Sequence, residues 1–182
     1  MFMIRHAFFN FPHRSKGAGL LEVMIAAGVL GLGLLGVAAL QMTALKGSTS
    51  AQYKSRATDI AASLSDRMRA NLVADNNYRS GVAASCAAPA LRCAMTPDGV
   101  TDADACLQTD VATYDLWEIR CQNGVRNSLP GGTLTVACTD IDISDADACT
   151  PGSSFQITVN WQGSVDSITD TTVVLNFIPG GE

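Results

Sequence analysis

Histidine is nearly missing from this chain. Its only two, His6 and His13, both precede a long apolar run. Everything after that run is therefore without Ser-His-Asp or Cys-His catalysis. Lysine is almost as scarce, with only Lys46 and Lys54 beyond Lys16, and no glycine-rich phosphate loop follows a strand pattern. No Cys-x-x-Cys pair occurs, so the closely spaced ligands of structural zinc are absent. Base is sparse in the second half: from Asp98 onward thirteen Asp/Glu face only Arg120 and Arg126. Such an acidic half repels phosphate backbones and makes a poor nucleic-acid binder, and the six Lys/Arg of residues 46 to 79 read as a solvated helix face, with phosphate binding the lesser alternative. No enzyme and no cofactor are expected.

Two further gaps organise the rest. No proline lies between Pro12 and Pro89, and no charge lies between Glu22 and Lys46. Val23 to Leu40 contains only apolar residues and glycine, and the uncharged gap is long enough to cross a hydrocarbon core of about 30 Å as a helix. Residues 1 to 21 carry Arg5, Arg14 and Lys16 and no acid, which places the N-terminus on the cytoplasmic side. An ordinary secretory signal has a shorter apolar region and a small-residue cleavage site after it. A plain signal anchor leaves Glu22 unexplained, because an ionisable group at the edge of a span is costly without a partner.

Lys16-Gly17 followed by Ala18-Gly19-Leu20-Leu21-Glu22 resembles the class III signal peptide of type IV pilins and type II secretion pseudopilins. The resemblance implies that a prepilin peptidase cuts between Gly17 and Ala18 and N-methylates Ala18. It implies that Glu22, at mature position five, pairs with the new amine of a neighbouring subunit. First mature residues Ala18-Gly19 depart from the usual Phe or Met followed by Thr. Within the superfamily, Gly33-Leu34-Leu35-Gly36-Val37-Ala38-Ala39-Leu40-Gln41 is most similar to the PilV-like minor pilins. So is the segment holding Asp115, Trp117 and Leu129-Pro130-Gly131-Gly132 before a strand pattern. The expected division is a leader at 1–17, a membrane or filament-core helix at 18–45, its amphipathic continuation at 46–72, and a periplasmic globular domain at 73–182.

The implied function is that of a minor pilin: it primes assembly in the inner membrane of a Gram-negative bacterium, then enters the extracellular pilus near its tip. Implied partners are other minor pilins, the major pilin, the prepilin peptidase and a tip adhesin. Three alternatives stand beside it. They are a minor pseudopilin of a type II secretion machine, a signal-anchored periplasmic binding module, and a membrane-tethered enzyme.

The pattern after Lys46 carries the fold. Tyr53, Ala57, Ile60, Leu64, Met68 and Leu72 recur at three and four residues, one face of an amphipathic helix. With no proline to stop it, one helix is expected from Ala18 to about Arg69. The crowded Gly28, Gly31, Gly33 and Gly36 fit either close helix contact or plain membrane tolerance of glycine. Residues 73 to 110 read as irregular and disulfide-tied, and residues 113 to 129 as a short helix with Trp117 as a core anchor, stopped by Pro130-Gly131-Gly132. Period-two alternation then marks three strands, in TLTVAC, SFQITVNWQG and TTVVLNFIP. The expected fold class is α+β, the pilin fold: a long N-terminal helix laid against a small antiparallel sheet.

Cys86, Cys93, Cys106, Cys121, Cys138 and Cys149 all follow the apolar run and are even in number, as three disulfides in an oxidising compartment require. Fifteen connectivities are open; Cys138 with Cys149 is preferred because the two bracket a short polar loop. Asp140, Asp142, Asp145 and Asp147 in that loop offer oxygens to calcium, but no Glu or Gly completes a recognised loop. A solvated acidic loop is the expectation there.

Overall fold

The computed structural model describes residues 19–80, 86–93, 105–122, 124–144, 146–147, 149–163 and 170–180. Helix α1 covers Leu20–Ala70, 51 residues. The chain divides into two units, Met1–Ala44 and Leu45–Glu182. In the first unit every described residue is exposed.

The second unit has one core. From α1 it takes Ala57, Ala61, Leu64 and Met68, with Tyr53 and Ile60 half-buried beside them. Leu72, the last member of the expected stripe, is 47% exposed, because α1 ends at Ala70 and a 3₁₀ segment, Leu72–Tyr78, turns the chain away. The inward-facing small residues Ala57, Ala61 and Ser65 leave room beside the helix for larger partners. Fully burying side chains such as Leu64 and Met68 stabilises the fold by about 1.5–3 kcal/mol each.

The sheet has the order β1-β2-β3, antiparallel throughout: β1 Thr133–Thr139, β2 Ser154–Gln162, β3 Asp170–Phe177. Register sets Val136 opposite Ile157 and Ile157 opposite Leu175, so the apolar positions of all three strands share one face. On β2 that face is Phe155, Ile157, Val159 and Trp161, all buried. Beyond β1, Ser80 exchanges two backbone hydrogen bonds with Val136, at 3.0 and 2.9 Å, and covers part of that edge.

Two further expectations need correction, the helix over 113 to 129 and Trp117 as a core anchor. The helical stretch starts earlier than residue 113 and is broken: α2 covers Gln108–Trp117, a π-turn follows over Glu118–Gln122, and a single turn, α3, covers Val125–Ser128. Asp110 starts α2 by accepting the Leu107 N–H at 3.0 Å. The break falls at Gly124, which lies so close to the preceding turn that a Cβ there would sit 1.4 Å from the Ile119 carbonyl oxygen. Spacing of four across Trp117, Cys121, Val125 and Leu129 therefore does not describe one continuous helix. Trp117 is only half-buried and stands outside the core; Trp161, 2% exposed, fills it instead.

Cysteines pair as Cys86–Cys121, Cys93–Cys106 and Cys138–Cys149. The first two tie the irregular segments after the 3₁₀ turn to one another and to the π-turn. The third closes the acidic loop between β1 and β2.

Candidate assembly interface

Glu22 lies in the first turn of α1, where the Glu22 and Val23 N–H groups both reach the Gly19 carbonyl, at 2.9 and 3.3 Å. The positive end of the helix dipole favours a carboxylate at this place. Among the described residues the Glu22 side chain has no ion pair and no hydrogen bond. It borders an open hollow with Gly19, Ile25 and Ala26, which share the Glu22 face at three- and four-residue spacing, and with its neighbour Leu21. Gly17 and Ala18 lie outside the described residues.

Around Glu22 the helix is apolar on every side and covered on none. Leu20 is 81% exposed, and Leu30, Leu34 and Leu40 are exposed along with it. It is the one described helix long and apolar enough to cross a membrane. A helix that is apolar all round needs lipid or other helices around it. In such surroundings an unpaired carboxylate is costly, whereas one paired with an amine is tolerated and sets the position of its partner. Gly28, Gly31, Gly33 and Gly36 have open space where a Cβ would be, so nothing among the described residues requires them to be glycine.

The lower half of α1 is held to the globular core by a polar anchor. Arg67 donates from Nη1 to Asp115 Oδ1 at 2.7 Å and to Glu118 Oε2 at 2.8 Å. The Tyr78 hydroxyl donates to Asp115 Oδ2 at 2.6 Å, and Asn71 donates to the Gln108 carbonyl at 2.8 Å and to Tyr78 Oη at 3.3 Å. Asp115, 7% exposed, therefore accepts from Arg67 on one oxygen and from Tyr78 on the other, as a buried carboxylate must. Burial pulls the Arg67 guanidinium down, but its bonds to Glu118 and Asp115 outweigh this and hold it above its ordinary value. Burial pushes the Tyr78 phenol well above its usual range, and its bond to Asp115 adds to the rise.

Arg120 is also buried. It donates to the Ser80 hydroxyl and, at 3.2 Å, to the Leu134 carbonyl, which joins the π-turn to β1. Burial, with Arg126 nearby, holds Arg120 below its ordinary value. Arg69, on the last turn of α1, sits over the Phe177 ring at 5.4 Å.

The acidic loop uses its carboxylates on itself. Asp140 Oδ1 accepts from the Thr150 N–H at 3.0 Å, the Ser153 hydroxyl at 3.1 Å and the Asp142 N–H at 3.3 Å. Asp142 Oδ1 accepts from the Ser144 hydroxyl and N–H. Asp147 accepts from Asn76 at 3.5 Å, and Asp145 lies outside the described residues. Among the described residues no cluster of three metal-binding side chains exists.

Of the residues singled out from sequence, the structure places Glu22 on the exposed apolar helix and the six cysteines in the globular unit. Sequence reasoning missed the Arg67–Asp115–Tyr78 anchor. A charge beside the apolar stripe at Arg67 was the available signal, since a helix end that packs against a core seldom carries an unmatched charge there.

Residues 39–117, under half of the 182-residue chain, match the Tt1218-like family, described as type IV pilin Tt1218. No curated protein and no solved structure matches the chain. The matched stretch runs from within the apolar half of α1 to the end of α2 and includes Arg67, Tyr78 and Asp115. The match supports a type IV pilin role, and the α+β architecture with its long N-terminal helix and small antiparallel sheet is consistent with the pilin fold.

Proposed function

We propose that this chain is a PilV-like minor pilin that helps to prime a type IV pilus and is then incorporated near its tip. The observation that carries the reading is the exposed apolar start of α1 with Glu22 as its single charge. The family match supports the pilin role more broadly. On this reading the N-terminus is cytoplasmic and the cysteine-bearing unit periplasmic before assembly. Prepilin peptidase cleaves after Gly17 and methylates Ala18. The positive amine of one subunit then meets Glu22 of another, and pairing in a low-dielectric filament core sets the axial step between them. The protein is a substrate of an enzyme and has no catalysis of its own; its partners are the major pilin, other minor pilins and a tip adhesin.

The mass of the N-terminal peptide from protein purified out of its native membranes tests this. A peptide starting at Ala18 and heavier by one methyl group is the expected result. An intact Met1 end, in cells with an active prepilin peptidase, would overturn it. Deletion then separates the two machines: loss of twitching is expected, and loss of secretion with twitching intact would assign the protein to a secretion machine.

A further inference from the structure

Val136 of β1 exchanges both of its backbone groups with Ser80, its N–H donating at 2.9 Å and its carbonyl accepting at 3.0 Å. Both groups therefore point away from β2, so Val136 and the opposing Ile157 form a pair without mutual hydrogen bonds. Ile157 then bonds across to Leu175 on β3, and bonding sides alternate along each strand. Thr172, Val174 and Asn176 consequently aim their N–H groups and carbonyls at the far edge of the sheet. Among the described residues none of these groups has a partner.

Natural sheets protect such an edge with lysine, proline or a bulge. From Thr171 to Phe177 there is no charge and no proline, and β3 pairs with β2 one to one without a bulge. The Thr172 hydroxyl donates to Asn160 at 2.6 Å and Asn176 accepts from Gln156 at 3.0 Å, so the polar side chains beside the edge are held by β2. On the inner face the cover runs out at the same place. Val159 and Ile157 are fully buried, while Val173 and Leu175 opposite them are only half-buried against the core. The edge lacks both a hydrogen-bonding neighbour and the apolar side chains that a neighbour would lay over the core.

We propose that β3 receives an extended segment of another protein as a fourth strand, apolar at alternate residues and bearing Lys or Arg between them. A second copy of this chain does not fit. Antiparallel neighbours in one sheet are related by a two-fold perpendicular to it, which would reverse the helix packed on the inner face. Copies anchored in one membrane run the same way, so this exclusion rests on the membrane anchoring proposed above. Pairing β3 with the β1 of another copy meets Ser80 already on that edge. Charge selects the chemistry of the segment: beyond Leu45 sixteen Asp/Glu stand against nine Lys/Arg, which draws in a basic strand and repels an acidic one.

Amide exchange of the full chain in detergent micelles tests the site, with a seven-residue peptide alternating lysine and valine as the probe. At ten times its dissociation constant the peptide should slow exchange at Thr172, Val174 and Asn176 roughly tenfold, since only the free protein exchanges there. Thr171, Val173 and Leu175, already bonded to β2, should not change. N-methylation of every peptide residue should abolish the effect, and so should glutamate in place of lysine. Val174→Pro removes only an unpaired N–H, so it should keep the unfolding midpoint and lose the protection. The methylated peptide stands as the test even if that variant folds poorly. No slowing up to about 5 mM peptide would overturn the site. Equal slowing by the glutamate peptide would overturn the basic partner. Slowing that grows with protein concentration alone would give the edge to a second copy and overturn the proposal too. The pilin reading fails instead on the N-terminal mass, which is measured independently.

Discussion

Arg67, in the last turn of α1, and Asp115, in the last turn of α2, are joined by a 2.7 Å ion pair across 48 residues of sequence. With Tyr78 on the other carboxylate oxygen, that pair fastens the lower half of the long helix to the globular core. If the upper half is pulled upon during assembly, load passes to the globular unit through this end of the helix and its core contacts.

Asp115→Ala leaves Arg67 with Glu118 alone and Tyr78 without an acceptor for its proton. The expected loss is about 2–3 kcal/mol, below the range for fully buried pairs because the Arg67 side chain remains 30% exposed. Urea unfolding of the full chain in detergent measures it. A loss under about 0.5 kcal/mol would show that the anchor contributes nothing beyond an ordinary surface pair.

Tyr78 adds a pH dependence on the alkaline side. Its folded phenol is held above the ordinary value of 10.0, first by burial and then by Asp115. The unfolded phenol therefore ionises first, so this contribution is complete below pH 10 and declines as pH rises past it. Stability of Tyr78→Phe should fall less steeply between pH 10 and 11.5 than that of the unsubstituted protein. Parallel slopes would remove Tyr78 from the account.

Asp140 supplies the acid counterpart. The Thr150 N–H, then the Thr150 and Ser153 side chains and the Asp142 N–H, hold its carboxyl below the ordinary value of 3.8. Its contribution is therefore present above that value and lost as pH falls through the depressed one. Amide exchange at Thr150 and Asp142 should quicken as pH drops below about 4, after correction for the intrinsic rate. Asp140→Asn should quicken it at neutral pH as well. The Cys138–Cys149 bridge keeps the loop closed in both cases, so the change is confined to these amides.

Gly124→Ala should be among the most damaging single substitutions in the globular unit. Its Cβ would fall 1.4 Å from the Ile119 carbonyl oxygen, and backbone cannot yield as a flexible side chain does. A loss of at least about 3 kcal/mol, or failure to accumulate, is expected in cells. Normal accumulation and an unchanged midpoint would mean that the π-turn can relax around a methyl group.

Glu22→Ala should leave the protein cleaved and stable in the membrane but poorly incorporated into pili. Immunoblots of membrane and sheared-pilus fractions check this. Normal incorporation would refute a pairing role, whereas loss of cleavage would assign Glu22 to peptidase recognition instead.

Much of this protein is dictated locally. An unbroken apolar run makes α1 helical whatever surrounds it, and strict alternation in β2 sends Phe155, Ile157, Val159 and Trp161 to one face wherever the strand is placed. Strand faces and the stripe from Tyr53 to Met68 are legible for that reason: each depends on neighbours within a few residues. Other features depend on what lies across the fold. Spacing of four could not reveal the break at Gly124, because it arises from how closely the chain returns to Ile119. Nor could it distinguish Trp117 from Trp161, since either ring can fill a core and only the register of β2 puts one of them there. The Cys138–Cys149 bridge, closing a short loop, is legible from the sequence, whereas the Cys86–Cys121 bridge and the Arg67–Asp115–Tyr78 anchor belong to the same class as these. Side chains 35 to 48 residues apart meet only once helix, turn and sheet have been packed. Periodicity determines which face of an element is apolar; tertiary packing alone decides which polar groups and which distant cysteines come within bonding distance.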